Sequence, residues 1–225
     1  MIETRHVTKY YRSVRAVEDV SLEVAEHASV AVLGPSGSGK TTLLRLIAGL
    51  EVPDKGEITI DGKMASTVGW ALAPSQRGIG FVFQTPALWP HMTVTQNIMF
   101  GLHGIPRTEA RSKLQELLVR MSLAELARRY PHQISGGEAR RVALARALAP
   151  EPRYLLMDEP LTSLDPKLKG EMISLINESM RRTKASLLYV THDLSEARKI
   201  AARIVSIRDG RLARDSVPSA DNEAA

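Results

Sequence analysis

Several short runs in this chain are apolar with almost no interruption: Val30-Ala31-Val32-Leu33, Tyr154-Leu155-Leu156-Met157 and Ser186-Leu187-Leu188-Tyr189-Val190. Runs this short, without alternation, read as strands covered on both faces, the habit of a parallel sheet. Gly78-Ile79-Gly80-Phe81-Val82-Phe83 reads as another, ending at Gln84, and Arg203 to Ile207 begins a last strand turned by Asp209-Gly210. Between these runs the period changes. Leu114, Leu117, Leu118 and Met121 recur at i, i+3, i+4 and i+7, which predicts a helix over 108–121 with one apolar face. Thr42 to Ala48 reads as a helix, and so does the stretch from Ser135 to Pro150. Ser135-Gly136-Gly137-Glu138 fits a capping box, with the Ser135 hydroxyl accepting from the N3 amide and Glu138 reaching back. Ile2 to Val24 reads as an antiparallel hairpin, and Glu57 to Ile60 as a strand ending in an Asp61-Gly62 turn.

Strands alternating with helices predict an α/β fold on a parallel sheet. The segment 87–150 lacks strands and reads as a helical insertion. A single domain is expected over 1–214, its core formed by 1–86 and 151–214 and a helical subdomain by 87–150. The polar, proline-bearing stretch 215–225 is expected to be disordered.

Composition narrows the class. Of 225 residues, 44% are hydrophobic, enough to fill a sizeable core. With no cysteine there is no disulfide framework and no thiolate metal site. The N-terminus lacks the apolar core of a signal peptide, and no stretch approaches the roughly 20 apolar residues of a membrane span. A cytoplasmic protein is expected. The net charge of +5 raises the question of nucleic acid. The basic pairs Arg140-Arg141 and Arg181-Arg182 sit on predicted helices, so the excess is read as solvated helix faces and no nucleic-acid partner is expected.

The chemistry gathers around Gly34-Pro35-Ser36-Gly37-Ser38-Gly39-Lys40-Thr41, which joins a predicted buried strand to a predicted helix that begins at Thr42. This is the phosphate-binding pattern G-x-x-x-x-G-K-[ST] in the strand–loop–helix setting that gives it meaning. Glycines let the backbone curl around an anion, and the helix N-terminus supplies free amides and a positive dipole end. Lys40 is expected on the β- and γ-phosphates and Thr41 on Mg²⁺. In open α/β sheets ligands bind beyond the carboxyl ends of strands. Three further strand ends carry reactive groups: Gln84, Asp158-Glu159 and His192. Asp158 is the candidate Mg²⁺ ligand and Glu159 the candidate general base for a water. Gln84 is a candidate for the metal or the water, and His192 for a γ-phosphate. Tyr11, one of two adjacent tyrosines, is a candidate to stack on adenine; simple packing is the alternative.

Taken together the set resembles the ATP-binding cassette of ABC transporters, over about Ile2 to Arg214. The matching pieces run in that family's order: Walker A at Gly34 to Thr41, Q-loop at Gln84, a signature at Ile134-Ser135-Gly136-Gly137-Glu138, Walker B at Tyr154 to Asp158 followed by Glu159, D-loop at Ser163-Leu164-Asp165, and H-loop at His192. Tyr11 matches the aromatic A-loop position. The resemblance implies a RecA-like parallel-sheet core, an N-terminal antiparallel β subdomain and a helical subdomain. It implies ATP and Mg²⁺ as ligands, and hydrolysis of ATP. It further implies a head-to-tail homodimer with two ATP molecules in its interface, in which Ser135, Gly136, Gly137, Glu138 and Asp165 of one chain meet the nucleotide on the P-loop of the other.

The stretch around Phe83-Gln84, Ala87 to Val94, Asn97-Ile98 and Phe100-Gly101-Leu102 resembles cassettes of bacterial importers for sugars, polyamines, iron, sulfate, molybdate and thiamine. The implied partners are an integral membrane permease and a substrate-binding protein, with the cassette peripheral on the inner face of the membrane. Leu88, Trp89, Met92 and Val94 are expected to form the groove that receives the permease, with packing inside the helical subdomain as the alternative for Trp89. Many such cassettes carry a C-terminal regulatory domain, and this chain, ending shortly after Arg214, is expected to lack one. The signature departs from the usual LSGGQ at Ile134 and Glu138; the glutamate keeps the capping geometry but adds a negative charge. An exporter motor or a non-transport ATPase are the rival readings. Repair and chromosome proteins insert long coiled coils between Gln84 and the signature, for which this chain leaves no room, and no N-K-x-D guanine motif occurs.

Overall fold

A computed structural model of the chain describes residues 1–216. In chain order the elements are β1 (Ile2–Tyr11), β2 (Val14–Val24), β3 (Ser29–Leu33), α1 (Lys40–Ala48), β4 (Lys55–Ile60), β5 (Lys63–Thr67), β6 (Trp70–Ala71) and β7 (Ile79–Val82). There follow α2 (Val94–Phe100), α3 (Arg107–Arg120), α4 (Gly136–Leu148), β8 (Tyr154–Asp158), α5 (Pro166–Thr183), β9 (Ser186–Thr191), α6 (Leu194–Ile200), β10 (Arg203–Arg208) and β11 (Arg211–Ser216).

Among the described residues the strands form two sheets. One is antiparallel, in the order β2-β1-β4-β5-β6; the other runs β11-β10-β3-β9-β8-β7. In the second, β10, β3, β9, β8 and β7 are parallel neighbours and β11 alone is antiparallel. The unbroken apolar runs are its central strands. Their alternate residues serve two cores. Leu155, Met157, Leu187 and Tyr189 face the cluster that includes α2, α3, α4 and α5, while Leu156, Leu188 and Val190 face a cluster shared with α1 and the antiparallel sheet. Burial on both faces is why no polar residue interrupts these strands.

The Asp61-Gly62 turn has both residues at positive φ, 52° and 71°, the type I′ geometry that joins β4 to β5. Neither β5, β6, α2, α5 nor α6 was among the predicted elements. For α5 the signals are present: Asp165 accepts from Leu168 N as N-cap, Pro166 opens the helix, and Met172, Ile173 and Ile176 are buried together. The last strand runs through Ser216, paired with Ile204, so the expected disordered tail begins at least two residues too early; residues 217–225 lie outside the described part.

The expected groove is also corrected. Val94 is buried and Leu88 packs on the core, whereas Trp89 is 44% exposed with its ring 5.8 Å from that of Phe100, itself 55% exposed. The loop holding Trp89 is set by Asn97. This fully buried amide accepts from Trp89 N (2.9 Å) and donates to the carbonyls of Trp89, Met92 and Thr93 (3.0–3.2 Å). Asn97→Ala removes this partner from Trp89 N and Met92 O, whereas Trp89 O and Thr93 O keep the amides of Met92 and residue 97, so a loss of about 2–3 kcal/mol is expected. Denaturant unfolding measures it, and hydrogen exchange should show the new opening confined to residues 88–93.

Candidate functional site

Between β3 and α1 the loop 34–39 is pressed against its neighbours. Gly34 N donates to Thr191 O on β9 (3.3 Å), and Ser38 O accepts from Gly210 N (3.0 Å). A Cβ on Gly34 would lie 2.4 Å from Ile207 O, and one on Gly39 (φ 102°) would lie 2.1 Å from Ala16 O. These glycines let the loop sit flush on the β10–β11 turn and on β2. Pro35, Ser36 and Gly37 form its exposed rim.

No side chain caps α1, so the positive dipole end at Lys40, Thr41 and Thr42 is not met by a side-chain acceptor. Ser38 Oγ is buried and has no hydrogen-bond partner. An uncapped helix start and an orphaned hydroxyl in the loop that precedes it fit an anion with several acceptor oxygens.

The charged groups meet here. Lys40 is only 4% exposed, and its ammonium donates to Gly34 O and Pro35 O (both 2.8 Å) and lies 3.3 Å from Glu159 Oε1. The other carboxylate oxygen of Glu159 is 2.9 Å from His192 Nδ1. Burial alone would raise Glu159, but the hydrogen bonds from His192 and Lys40 outweigh it and hold the carboxyl below its ordinary value. Glu159 has φ 43°, unusual for a side chain with a Cβ, and its amide is fixed to Val190 O (3.0 Å). That strained turn sends consecutive residues different ways. Asp158 accepts from Thr41 Oγ1 (2.9 Å), and burial pushes its carboxyl up despite that bond. Thr41 and Asp158 offer two hard oxygen donors, the type of ligand that suits Mg²⁺.

The remaining predicted residues lie around this cluster. Gln84 is exposed, just past the end of β7 where that strand flanks β8. Tyr11, 39% exposed at the end of β1, has Lys9 Nζ 5.7 Å from its ring centre; burial and a bond to Glu51 raise its hydroxyl pKa, and Thr42 opposes. Ser135 and Glu138 are occupied with each other. Glu138 N donates to Ser135 Oγ (3.3 Å) and Ser135 N to Glu138 Oε2 (2.7 Å), the capping box expected for α4. A Cβ on Gly136 would be in ordinary contact with Arg140 Nη1 at 3.6 Å, whereas one on Gly137 would lie 2.5 Å from Leu168. Asp165 caps α5 through Leu168 N (3.0 Å). Among the described residues no hydrogen bond or ion pair joins 135–138 or Asp165 to the P-loop of the same chain.

Other residues hold this site that the sequence patterns did not single out. Glu196, 4% exposed, accepts from Tyr189 and Thr191 hydroxyls (2.9 and 2.8 Å) and pairs with Lys169 (2.6 Å), which also reaches Asp193 (3.1 Å). This network braces α5 against the segment carrying His192. On α4, Arg140 donates to Pro160 O and Thr162 O (2.9 and 2.7 Å), and Arg146 to Pro86 O and Ala87 O (3.0 and 2.8 Å). Arg140 is therefore no solvated charge. It ties the signature helix to the loop after Glu159, while Arg146 ties it to the loop after Gln84.

A parallel sheet, a glycine loop opening onto an uncapped helix, and acidic and basic groups at adjoining strand ends define a P-loop nucleotide-binding fold. Residues 17–162 match the family described as ABC transporter. Over 220 residues the chain is 46% identical to the sulfate/thiosulfate import ATP-binding protein CysA of Thermosynechococcus vestitus, covering 97% of this chain and 64% of that protein. Over 219 residues it is 44% identical to the Fe(3+) ions import ATP-binding protein FbpC of Serratia marcescens, covering 96% and 63%. It thus spans a little under two thirds of the length of these curated relatives. The ATP-binding cassette MJ0796, solved as a dimer in a post-hydrolysis state with ADP and Pi, superposes with a TM-score of 0.84 at 34% identity, covering 96% of this chain and 98% of that one. The chain belongs to the ABC transporter family.

The Ser135 bond holds Glu138 below its ordinary carboxyl value. A depressed folded pKa stabilises above the unfolded pKa, and the contribution is lost as pH falls through the folded value. Glu138→Gln should therefore cost about 0.5–1 kcal/mol at pH 7, a cost that shrinks as pH falls through the folded pKa of Glu138, read from denaturation over that range. Any ATP hydrolysis by the chain should be equal or higher in this variant; a large loss with unchanged folding would give the carboxylate a specific role.

Proposed function

We propose that this chain binds Mg-ATP and hydrolyses it as the motor subunit of an ABC importer, in a head-to-tail dimer docked on a membrane permease. The observation that carries the reading is the placing of Glu159, a strand-end carboxylate kept ionised between His192 and Lys40 at the mouth of the P-loop. A carboxylate so held serves as general base for a water, with His192 fixing its orientation.

The loop amides and Ser38 receive the phosphates, and Lys40 exchanges the carbonyls of Gly34 and Pro35 for phosphate oxygens. That exchange loosens its pairing with Glu159 and leaves the carboxylate free to accept a proton. Tyr11 packs on the adenine. Thr41 and Asp158, with Gln84, hold Mg²⁺, which when bound neutralises charge developing on the phosphates. Ser135, Gly136, Gly137, Glu138 and Asp165 complete the site of the opposite chain in a C₂ arrangement, since in their own chain they bond away from the P-loop.

Importer relatives and the exposed Trp89–Phe100 pair beyond Gln84 support a permease partner at that face. No helix among the described residues is long and apolar enough to cross a membrane. A peripheral position on the inner face of the membrane, with a substrate-binding protein in the complete importer, follows from this reading. The solute is chosen by those partners and not by the motor.

Glu159→Gln tests the assignment. It should bind ATP, lose hydrolysis by about 10²–10⁴-fold and accumulate as an ATP-bound dimer. Phosphate release and light scattering read the two effects. Ordinary hydrolysis by this variant would remove Glu159 as the base.

A further inference from the structure

Arg77 lies between the antiparallel sheet and β7, just after a short turn at Pro74–Gln76, and is 4% exposed. Its guanidinium has five N–H groups and meets five acceptors. Nε donates to Leu72 O (2.9 Å). One terminal nitrogen donates to Leu46 O and Ile47 O (3.3 and 2.8 Å), and the other to Ala65 O and Ser66 Oγ (both 2.7 Å). None of the five is a carboxylate. Burial without a counter-ion lowers its pKa to about 10, so it remains a cation at neutral pH.

The carbonyls of Leu46 and Ile47 close the last turn of α1, where the helix dipole is negative and a cation is favoured. The chain makes room for the contact. Gly49 ends α1 with φ 77°, and a Cβ there would stand 2.4 Å from Arg77 Nε. One planar fork thus joins the far end of the P-loop helix to β5, in the sheet whose β1 carries Tyr11. Lysine, with three donors on a point charge, cannot make the same set.

We propose that Arg77 is a positioning residue for the nucleotide: it fixes the angle of α1 against the antiparallel sheet, and so the spacing between the phosphate loop and Tyr11. This rests on the ATP reading above. The nine residues of α1 form a lever of about 13 Å. A tilt of about 5° at the Arg77 end moves Lys40 and Thr41 by about 1 Å, a displacement that costs well-aligned sites heavily. The loop 34–39 is held by β9, β2 and the β10–β11 turn, so a ligand confined to it registers only the shift of the first turn of α1. A ligand that must also reach Tyr11 registers the tilt itself.

The test compares Mg-ATP with inorganic tripolyphosphate, which has no base, by calorimetry. Arg77→Lys should weaken ATP binding about tenfold and tripolyphosphate binding less than about twofold, and in a Tyr11→Ala background the ATP effect should shrink below about twofold. Equal losses for both ligands, no loss for ATP, or a loss that survives Tyr11→Ala would overturn the proposal. Should Arg77→Lys fail to fold, Ser66→Ala removes one of the five acceptors and is read by the same three outcomes, with a smaller ATP effect. If the unmodified chain binds tripolyphosphate but not ATP, the nucleotide reading itself fails, which is a separate result from an indifferent Arg77.

Discussion

A lysine ammonium with 4% exposure must be surrounded by acceptors, and much of this structure is arranged to supply them. Lys40 takes two from its own loop and a third from Glu159. To bring Glu159 there, β8 must end beside β3's loop and turn sharply, which the parallel order β3-β9-β8 and the left-handed backbone at Glu159 achieve. To keep the loop in place its glycines must lie flat against Ala16, Ile207 and Gly210. The ammonium is therefore a latch. Two of its three partners are neutral carbonyls, and charged phosphate oxygens at a helix N-terminus are stronger acceptors than those.

Guanidinium groups join the pieces around that latch by one repeated device, an arginine donating to backbone carbonyls of a loop or helix end. Arg140 and Arg146 connect α4 to the loops after Glu159 and Gln84, and Arg77 connects α1 to the antiparallel sheet. Backbone acceptors cannot be lost by substitution, and the rigid fork specifies direction as well as distance. Through these contacts the start of α4 is linked mechanically to the strand ends even though it contributes nothing to the P-loop of its own chain.

Much of this was legible in the residues. The central strands were, because burial on both faces leaves no alternative to apolar runs. Lys40, Thr41, Asp158, Glu159 and His192 were, because the ends of parallel strands converge and the glycine loop marks which end. The capping box at Ser135 and Glu138 was, because its spacing is local. Arg77 was not: between a polar turn and Gly78 it looks like a surface charge, and its burial depends on β5 and α1, distant in sequence. Glu196 and Lys169 are hidden for the same reason, since an acid and a base on separate helices give no pattern until the helices pack. Of the expected groove residues Val94 is buried and Trp89 exposed, a split that periodicity does not show because the loop is held by Asn97.

If the cluster at Lys40 is half of a site, two different defects should repair each other. Lys40→Ala disables the phosphate loop, and Gly136→Asp, at an exposed position where an added Cβ meets only Arg140 Nη1 at 3.6 Å, blocks the start of α4. Each variant alone should be inactive. In an equal mixture, half the dimers are mixed and one of their two sites pairs an intact loop with an intact helix start, so about a quarter of the parent ATPase activity should return. A mixture as inactive as its components, with mixed dimers demonstrated, would mean that the site is complete within one chain.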